Sequence, residues 1–255
     1  MRRYDGRRVV VTGAGSGIGQ GIALRLLDEG ARLVAADINA EGLAVTVEKA
    51  GDAAERLSTV QVDVADQESV RAAADAALAT LGGLDMLVNA AGILRPARTH
   101  EMPLEAWNQV ITVNLTGTFL VTQALLPALV DSGHGVVVNL SSTAAFSAAP
   151  YLAAYAASKA GVNAFTHAIA LEYVKQGLRA VNIVPAGITS GITTKSIVDQ
   201  PEGADGSLFA RLTGWMNNGA LGTPEDIAGV VAMVGSEDGR YMTGTEIRID
   251  GGALM

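Results

Sequence analysis

At 255 residues, with 49% hydrophobic and 17% charged side chains, the chain suits one large domain and is apolar enough to fill its core, which excludes extensive disorder. It has no cysteine, so disulfides, iron–sulfur ligation and thiol catalysis are excluded and a cytoplasmic location is expected. A formal net charge of −8 argues against nucleic acid as a partner, and no apolar run approaches the roughly 18 residues of a membrane span.

The chain opens with "MRRYDGRRVVVTG", basic and then briefly apolar, too short for a signal peptide and read as the lead-in to a first strand. "GIGQGIALRLLDEG" follows with apolar residues at helical spacing. "ARLVAADI" is a second strand, then comes a polar helix, the strand "TVQVDV", and a helix near Gln67 to Leu81. The strand "LDMLVNAAG" precedes one long helical region from Pro103 to about Leu129. "HGVVVNLSS" is a strand, Ala153 to Lys175 a helix, and "RAVNIVPAG" a strand. "TPEDIAGVVAMVGS" reads as a helix capped by Thr223 before Pro224, and "TGTEIRIDGG" is the last strand. Seven strands, apolar on both faces and alternating with helices, predict an α/β fold: one doubly wound parallel sheet with helices on both faces, a single domain over 1–255. The irregular stretch 189–222, rich in Gly, Asn, Ser and Thr, is expected to be a functional substrate loop.

Between the first strand and first helix lies "TGAGSGIG", Thr12 to Gly19. Glycines there permit a tight turn and close backbone approach to a pyrophosphate, and the helix N-terminus offers free N–H groups to the anion. The spacing of Gly13, Gly17 and Gly19 differs from the commoner G-x-G-x-x-G. Asp37 ends the second strand about 20 residues on, where a carboxylate can accept hydrogen bonds from the adenosine ribose of a dinucleotide. Competing motifs are missing: no nucleotide-triphosphatase loop, no H-E-x-x-H, no G-x-S-x-G. The three histidines are scattered, and no metal site is expected.

The alanine-rich "SSTAAFSAAPYLAAYAASKAG" carries Tyr155 and Lys159 four apart, on one face of a helix. A phenol with a pKa of about 10 is a poor base near neutrality, and a neighbouring cation lowers that value. The spacing also fits a core tyrosine beside a solvated lysine. Tyr151 has no lysine partner at the same spacing and reads as a pocket or packing residue.

With these residues in place, the chain resembles the short-chain dehydrogenases/reductases along nearly its whole length. The resemblance is carried by "TGAGSGIG", Asp37, Asp63–Val64, "NAAG" at 89–92, Asn114, Ser142, "YAASK" at 155–159, Asn182 and the terminal "DGG". It implies a single-domain Rossmann fold and assigns roles. Tyr155 would be the general acid/base. Lys159 would bind the nicotinamide ribose and lower the tyrosine's pKa. Ser142, rather than the adjacent Ser141, would bond the substrate oxygen. Asn114 would hold a water relaying protons from Lys159. Gly13, Ser16, Gly17, Ile18 and Gly19 would cradle the cofactor, Asp63 and Val64 would contact adenine, and Asn89 would form part of the adenosine side. Ile188 and Ser190 fall where the family contacts nicotinamide. Two positions depart from the family pattern. Ala90 replaces the second Asn of N-N-A-G, and Ala186 replaces the Gly after Pro185.

The resemblance thus implies reversible hydride transfer between a nicotinamide cofactor and a secondary alcohol or ketone, and Asp37 points to NAD. Leu94, Phe146, Tyr151, Phe209, Trp215 and Met216 either line an apolar substrate pocket or pack the loop and a subunit interface. The first reading predicts a moderately bulky, largely apolar substrate. A homotetramer is expected, pairing through the tyrosine helix, which shows small residues at Ala157, Gly161 and Ala164. Three rivals stand beside this. A 3-oxoacyl-carrier-protein reductase is kept in play by Arg95 and Arg98. A dinucleotide sensor would not need Tyr155 and Lys159, and a sugar-nucleotide epimerase would carry a larger C-terminal region.

Overall fold

Parallel strands buried on both faces leave only one place for polar chemistry, the edge where the chain leaves them. The computed structural model describes residues 2–193, 199–211 and 220–254, with backbone alone over 209–211. It contains seven strands, β1 Arg8–Thr12, β2 Arg32–Asp37, β3 Leu57–Gln61, β4 Met86–Asn89, β5 Val136–Leu140, β6 Arg179–Pro185 and β7 Thr245–Ile249. All pair in parallel, in the order β3-β2-β1-β4-β5-β6-β7. This is the expected doubly wound sheet. Its order reverses between β1 and β4, and that switch point opens a crevice at the carboxyl ends.

Strand alternation sends each side chain to one of two cores. Val9, Val11, Met86, Val88, Val136 and Val138 meet the helices α1 (Gly17–Asp28) and α2 (Ala40–Ala50) and the last helix, Pro224–Gly235. Val10, Leu87 and Val137 face the opposite layer, which includes α3 (Gln67–Leu81). The long helix expected from Pro103 is three pieces: α4 (Leu104–Ile111), a π-helical turn Thr112–Thr116, and α5 (Gly117–Asp131). Together Leu104–Asp131 runs 28 residues and is long and apolar enough to cross a membrane by length and composition alone, although polar residues interrupt every apolar run in it. Val121, Leu125 and Leu129 of α5 are buried in the domain's own core. The tyrosine helix α6 spans Ala153–Glu172, ending before Lys175, where a 3₁₀ turn takes over. The last helix, α7, is capped as expected. Thr223 Oγ1 accepts from Asp226 N, and Asp226 Oδ2 accepts from Thr223 N at 2.8 Å.

Candidate active site

The segments that leave β1 to β6 at the carboxyl edge contribute to one cleft of about 450 Å³. The loop after β1 supplies Gly13, Ser16, Gly17, Ile18 and Gly19. Gly13 has φ +68°, and a Cβ there would lie 2.7 Å from Ala91 N. Only glycine lets the β1 and β4 loops touch in this way. At Gly19 a Cβ would collide with the carbonyl of Gly13, so helix and turn are equally close. α1 begins here with no acidic residue in its first turn, leaving its N–H groups and dipole open to an anion.

Asp37 lies in the same cleft with Ile38 beside it, 61% exposed. Its Oδ2 accepts from Gly15 N at 2.9 Å and its Oδ1 from Asn39 N at 2.9 Å, so the carboxylate is oriented by two backbone bonds. Asp63 and Val64, after β3, also line the cleft. Asp63 Oδ1 is fixed by Ala65 N at 2.9 Å, and Val64 packs where a Cβ on Gly117 would stand. Asn89 does not line it. Its amide is buried beneath the floor, donating to Thr122 Oγ1 at 3.0 Å and Asn139 Oδ1 at 2.8 Å. The adenosine-side contact expected of Asn89 is therefore replaced by a structural one, because strand alternation turns its side chain toward α5.

The opposite wall holds Ser142, Tyr155 and Lys159 together. Burial pushes the Tyr155 phenol above its ordinary range, and a hydrogen bond from Ser142 pulls it back part of the way. Lys159 is 5% exposed, its Nζ donates to the Leu140 carbonyl at 2.7 Å, and burial pulls the ammonium down to about 8. Its Nζ is 5.7 Å from the centre of the Tyr155 ring. The expected lowering of the tyrosine by the lysine is not what dominates here. Both groups are desolvated, which favours the neutral form of each.

Asn114 sits at the centre of the π turn, fully buried and outside the cleft lining. Its Oδ1 accepts from Ile93 N at 2.8 Å, and its Nδ2 donates to Ile93 O at 2.9 Å and Ser158 Oγ at 3.0 Å. It thereby ties the β4 loop to α6. The π turn that places it was invisible to helical periodicity, as was the part played by Gln109 and Val113 in the lining.

The two departures are absorbed locally. Ala90 N and Ala91 N both donate to Thr12 Oγ1, at 3.2 and 3.3 Å, so the β4 end is held without the second asparagine. After Ala186, Ile188 bridges to Gly222, and both Ile188 and Ser190 reach the cleft. Of the apolar pocket residues, Leu94 is buried outside the lining and Phe146 is 42% exposed under the Arg248 guanidinium. Tyr151, at φ +63°, lies outside the lining and accepts from Asp205 N through its hydroxyl at 3.0 Å. Phe209 lies in a 3₁₀ turn with only its backbone described, and Trp215 and Met216 lie outside the described residues.

Anion-ready amides at α1, an oriented carboxylate at Asp37 and a buried cation at Lys159 fit a dinucleotide. The described residues contain no cluster of metal-ligating side chains. Residues 7–201 match the family profile described as short chain dehydrogenase. The chain is 36% identical over 253 residues to the 2,5-dichloro-2,5-cyclohexadiene-1,4-diol dehydrogenase of Sphingobium indicum, covering 98% of this chain and 97% of that protein. It is 36% identical over 250 residues to the D-threitol dehydrogenase of Mycolicibacterium smegmatis, covering 98% and 94%. Among solved structures, levodione reductase matches with a TM-score of 0.90 at 30% identity, over 97% of both chains.

The buried ammonium makes a testable demand on stability. Lys159 titrates near 8 in the folded protein and near its ordinary 10.5 when unfolded. Below pH 8 both states hold the proton and burial of the charge is fully paid. Between about 8 and 10.5 the folded side chain releases the proton first, so this residue's contribution to stability rises with pH. Lys159→Met should therefore be most stabilising relative to wild type at pH 7, and its advantage should shrink by an amount on the order of 3 kcal/mol by pH 10.5. Urea unfolding of both proteins across this range reads the difference, and a constant gap would refute the burial of the charge.

Proposed function

The chain belongs to the short-chain dehydrogenases, and from that premise we propose that it is an NAD-dependent cytoplasmic enzyme moving a hydride between nicotinamide and a moderately bulky, largely apolar secondary alcohol or ketone. The observation that carries the chemistry is the convergence of Ser142, Tyr155 and Lys159 on one wall of the cleft that Asp37 lines. The bound nicotinamide supplies or accepts the hydride. Tyr155 gives its phenolic proton to the carbonyl oxygen in reduction and takes the hydroxyl proton in oxidation. Ser142, beside that phenol, holds the same substrate oxygen. The Lys159 ammonium favours the phenolate at the moment it forms and would hold the ribose of the bound cofactor. Asn114 Oδ1 and Lys159 Nζ both face Gly92, 3.3 and 3.6 Å from where a Cβ there would stand, and a water held between them is the proposed proton relay.

The NAD preference rests on charge. A ribose phosphate beside Asp37 would bring about −1.5 to −2 charges against a carboxylate. Ile38 offers no cation, and among the described lining residues Lys159 is the only one. Arg32 lies at the far end of β2, bonded to the carbonyls of Thr80 and Leu81. The substrate class rests on the apolar walls formed by Ile93, Leu140, Ile188 and Ile192, and on the cyclic diol named for one relative. The D-threitol dehydrogenase, equally similar, makes a small polyol the competing reading.

A homotetramer is proposed from the apolar surface of α5 and α6. Phe119 and Leu171 are exposed, as are Ala157 and Ala164. Gly161 serves the subunit itself, since a Cβ there would meet Leu115 at 2.7 Å. Light scattering should give a mass near four times 26.1 kDa at micromolar concentration, and a monomer mass would reject the assembly.

A panel of cyclic, aryl and steroid-like alcohols set against small polyols, followed at the NADH absorbance with both cofactors, tests the main reading. Turnover of polyols alone would reject the apolar class. Tyr155→Phe should keep its NAD affinity and lose at least about 100-fold in kcat. Wild-type turnover in that variant would remove Tyr155 from the chemistry. Wild type should favour NAD over NADP by roughly 100-fold in kcat/KM, equivalent to about 2.7 kcal/mol, and Asp37→Ser with Ile38→Arg should reverse most of it. Equal kcat/KM values in wild type would show that Asp37 does not face the ribose.

A further inference from the structure

One row of polar side chains crosses the sheet just below its carboxyl edge. The strand register pairs Thr12 with Asn89, Asn89 with Asn139, Asn139 with Asn182, and Asn182 with Glu246. The first four are buried, and in strands that are otherwise apolar they cost stability unless bonded. Thr12 holds the β4 loop and Asn89 bonds Asn139 within the row; the asparagines' further bonds run to the helices. Asn89 Nδ2 donates to Thr122 Oγ1 of α5 at 3.0 Å. Asn139 Nδ2 donates to Thr166 Oγ1 of α6 at 2.8 Å, and Asn182 Oδ1 lies 2.7 Å from the same hydroxyl. Glu246 Oε1 lies 2.7 Å from His167 Nε2, on the next residue of α6.

Read from Asn139 outward, three consecutive residues at the end of β5 bond α6, and a fourth, Ser142, faces its tyrosine. Asn139 holds Thr166. The Leu140 carbonyl holds Lys159 Nζ, at 2.7 Å. Ser141 Oγ donates to the Lys159 carbonyl at 3.3 Å. Ser142 stands beside Tyr155 on the cleft wall and lowers its phenol's pKa. The strand runs up as the helix runs down, and the bonds form a ladder. Its upper rungs are the groups assigned to the reaction. Its foot, Asn139–Thr166, stands two helical turns below Lys159, roughly 10 Å along the axis.

We propose that Thr166 is a positioning residue for hydride transfer: by locking α6 to Asn139 and Asn182 it sets the height of Tyr155 and Lys159 against Ser142. Near the foot α6 also buries the apolar Val162, Ile169 and Ala170, and its other polar ties are a 3.5 Å bond from Asn182 Nδ2 to the Asn163 carbonyl and the half-exposed His167 against Glu246. Apolar contact is non-directional and tolerates a small slide, whereas a hydrogen bond is made at one register only. Without the Thr166 hydroxyl, Asn139 Nδ2 and Asn182 Oδ1 lose this partner in the core, and the strand ends and helix shift to satisfy them.

This inference rests on the proposed oxidoreductase reading, and its test separates the two. In Thr166→Val, kcat should fall roughly 10- to 100-fold while the KM for NAD changes by less than about threefold, since misplacement of about 1 Å is enough for such a loss. Thr166→Ser, which restores the hydroxyl, should recover most of it. In the cofactor-free variant, carbon NMR of the lysine side chains should find Lys159 titrating above its wild-type value of about 8, back toward 10.5, as the ammonium regains water. If Thr166→Val does not yield folded protein, Thr166→Ala, which leaves room for a water, is read in the same way. Wild-type kcat in the variant, failure of serine to rescue, or an unmoved Lys159 titration each overturns the positioning role. A wild type that turns over no alcohol or ketone counts against the proposed function, and the Lys159 titration still decides this one.

Discussion

A single buried ammonium constrains the whole site. Lys159 Nζ is held on the Leu140 carbonyl at the wall of the cleft, with burial drawing its pKa down to about 8. A charge in that position costs free energy in the empty protein and returns it when an electron-rich partner arrives. On the proposed reading that partner is the phenolate of Tyr155 together with the cofactor ribose. The same desolvation holds Tyr155 protonated at rest, ready to act as an acid.

The fold makes this placement possible by bringing the segments after β1 to β6 to one edge. The order reversal between β1 and β4 opens the crevice, and glycine at position 13 lets the two loops at that reversal touch. Backbone bonds then orient the polar groups. Asp37 is turned by Gly15 and Asn39, and Asn114 by Ile93. Beneath them, the polar row from Thr12 to Glu246 ties strands to α5 and α6, so that elements distant in sequence share one reference level. The oriented carboxylate at one end and the buried cation at the other divide the cleft electrostatically. On the proposed reading a dinucleotide satisfies both.

Much of this was legible from residue order. Alternating apolar runs and helical periods place all seven strands, and Thr223 with Asp226 marks the start of α7 as its sequence suggests. Tyr155, Lys159 and Ser142 meet because helical spacing and a strand end are local signals. What escaped was tertiary. Asn114 sits on a π turn, which breaks the 3.6 period without a proline or glycine to announce it. The resemblance put Asn89 on the adenosine side, yet strand alternation turns its side chain to α5, beneath the cleft floor. The asparagines at 89, 139 and 182 each interrupt an apolar strand, a visible signal whose meaning needed the pairing. Leu94 and Phe146 share apolar character with a pocket lining, and composition alone does not separate lining from packing.

The central claim is that Asp37 and Lys159 hold the two ends of one dinucleotide. A crystal structure of the protein with NAD tests it most directly. The account predicts the adenosine ribose hydroxyls on the Asp37 carboxylate and the nicotinamide ribose on Lys159 Nζ, with the nicotinamide ring beside the Tyr155 hydroxyl. A cofactor bound with its adenosine ribose away from Asp37, or its nicotinamide away from Tyr155, would contradict it.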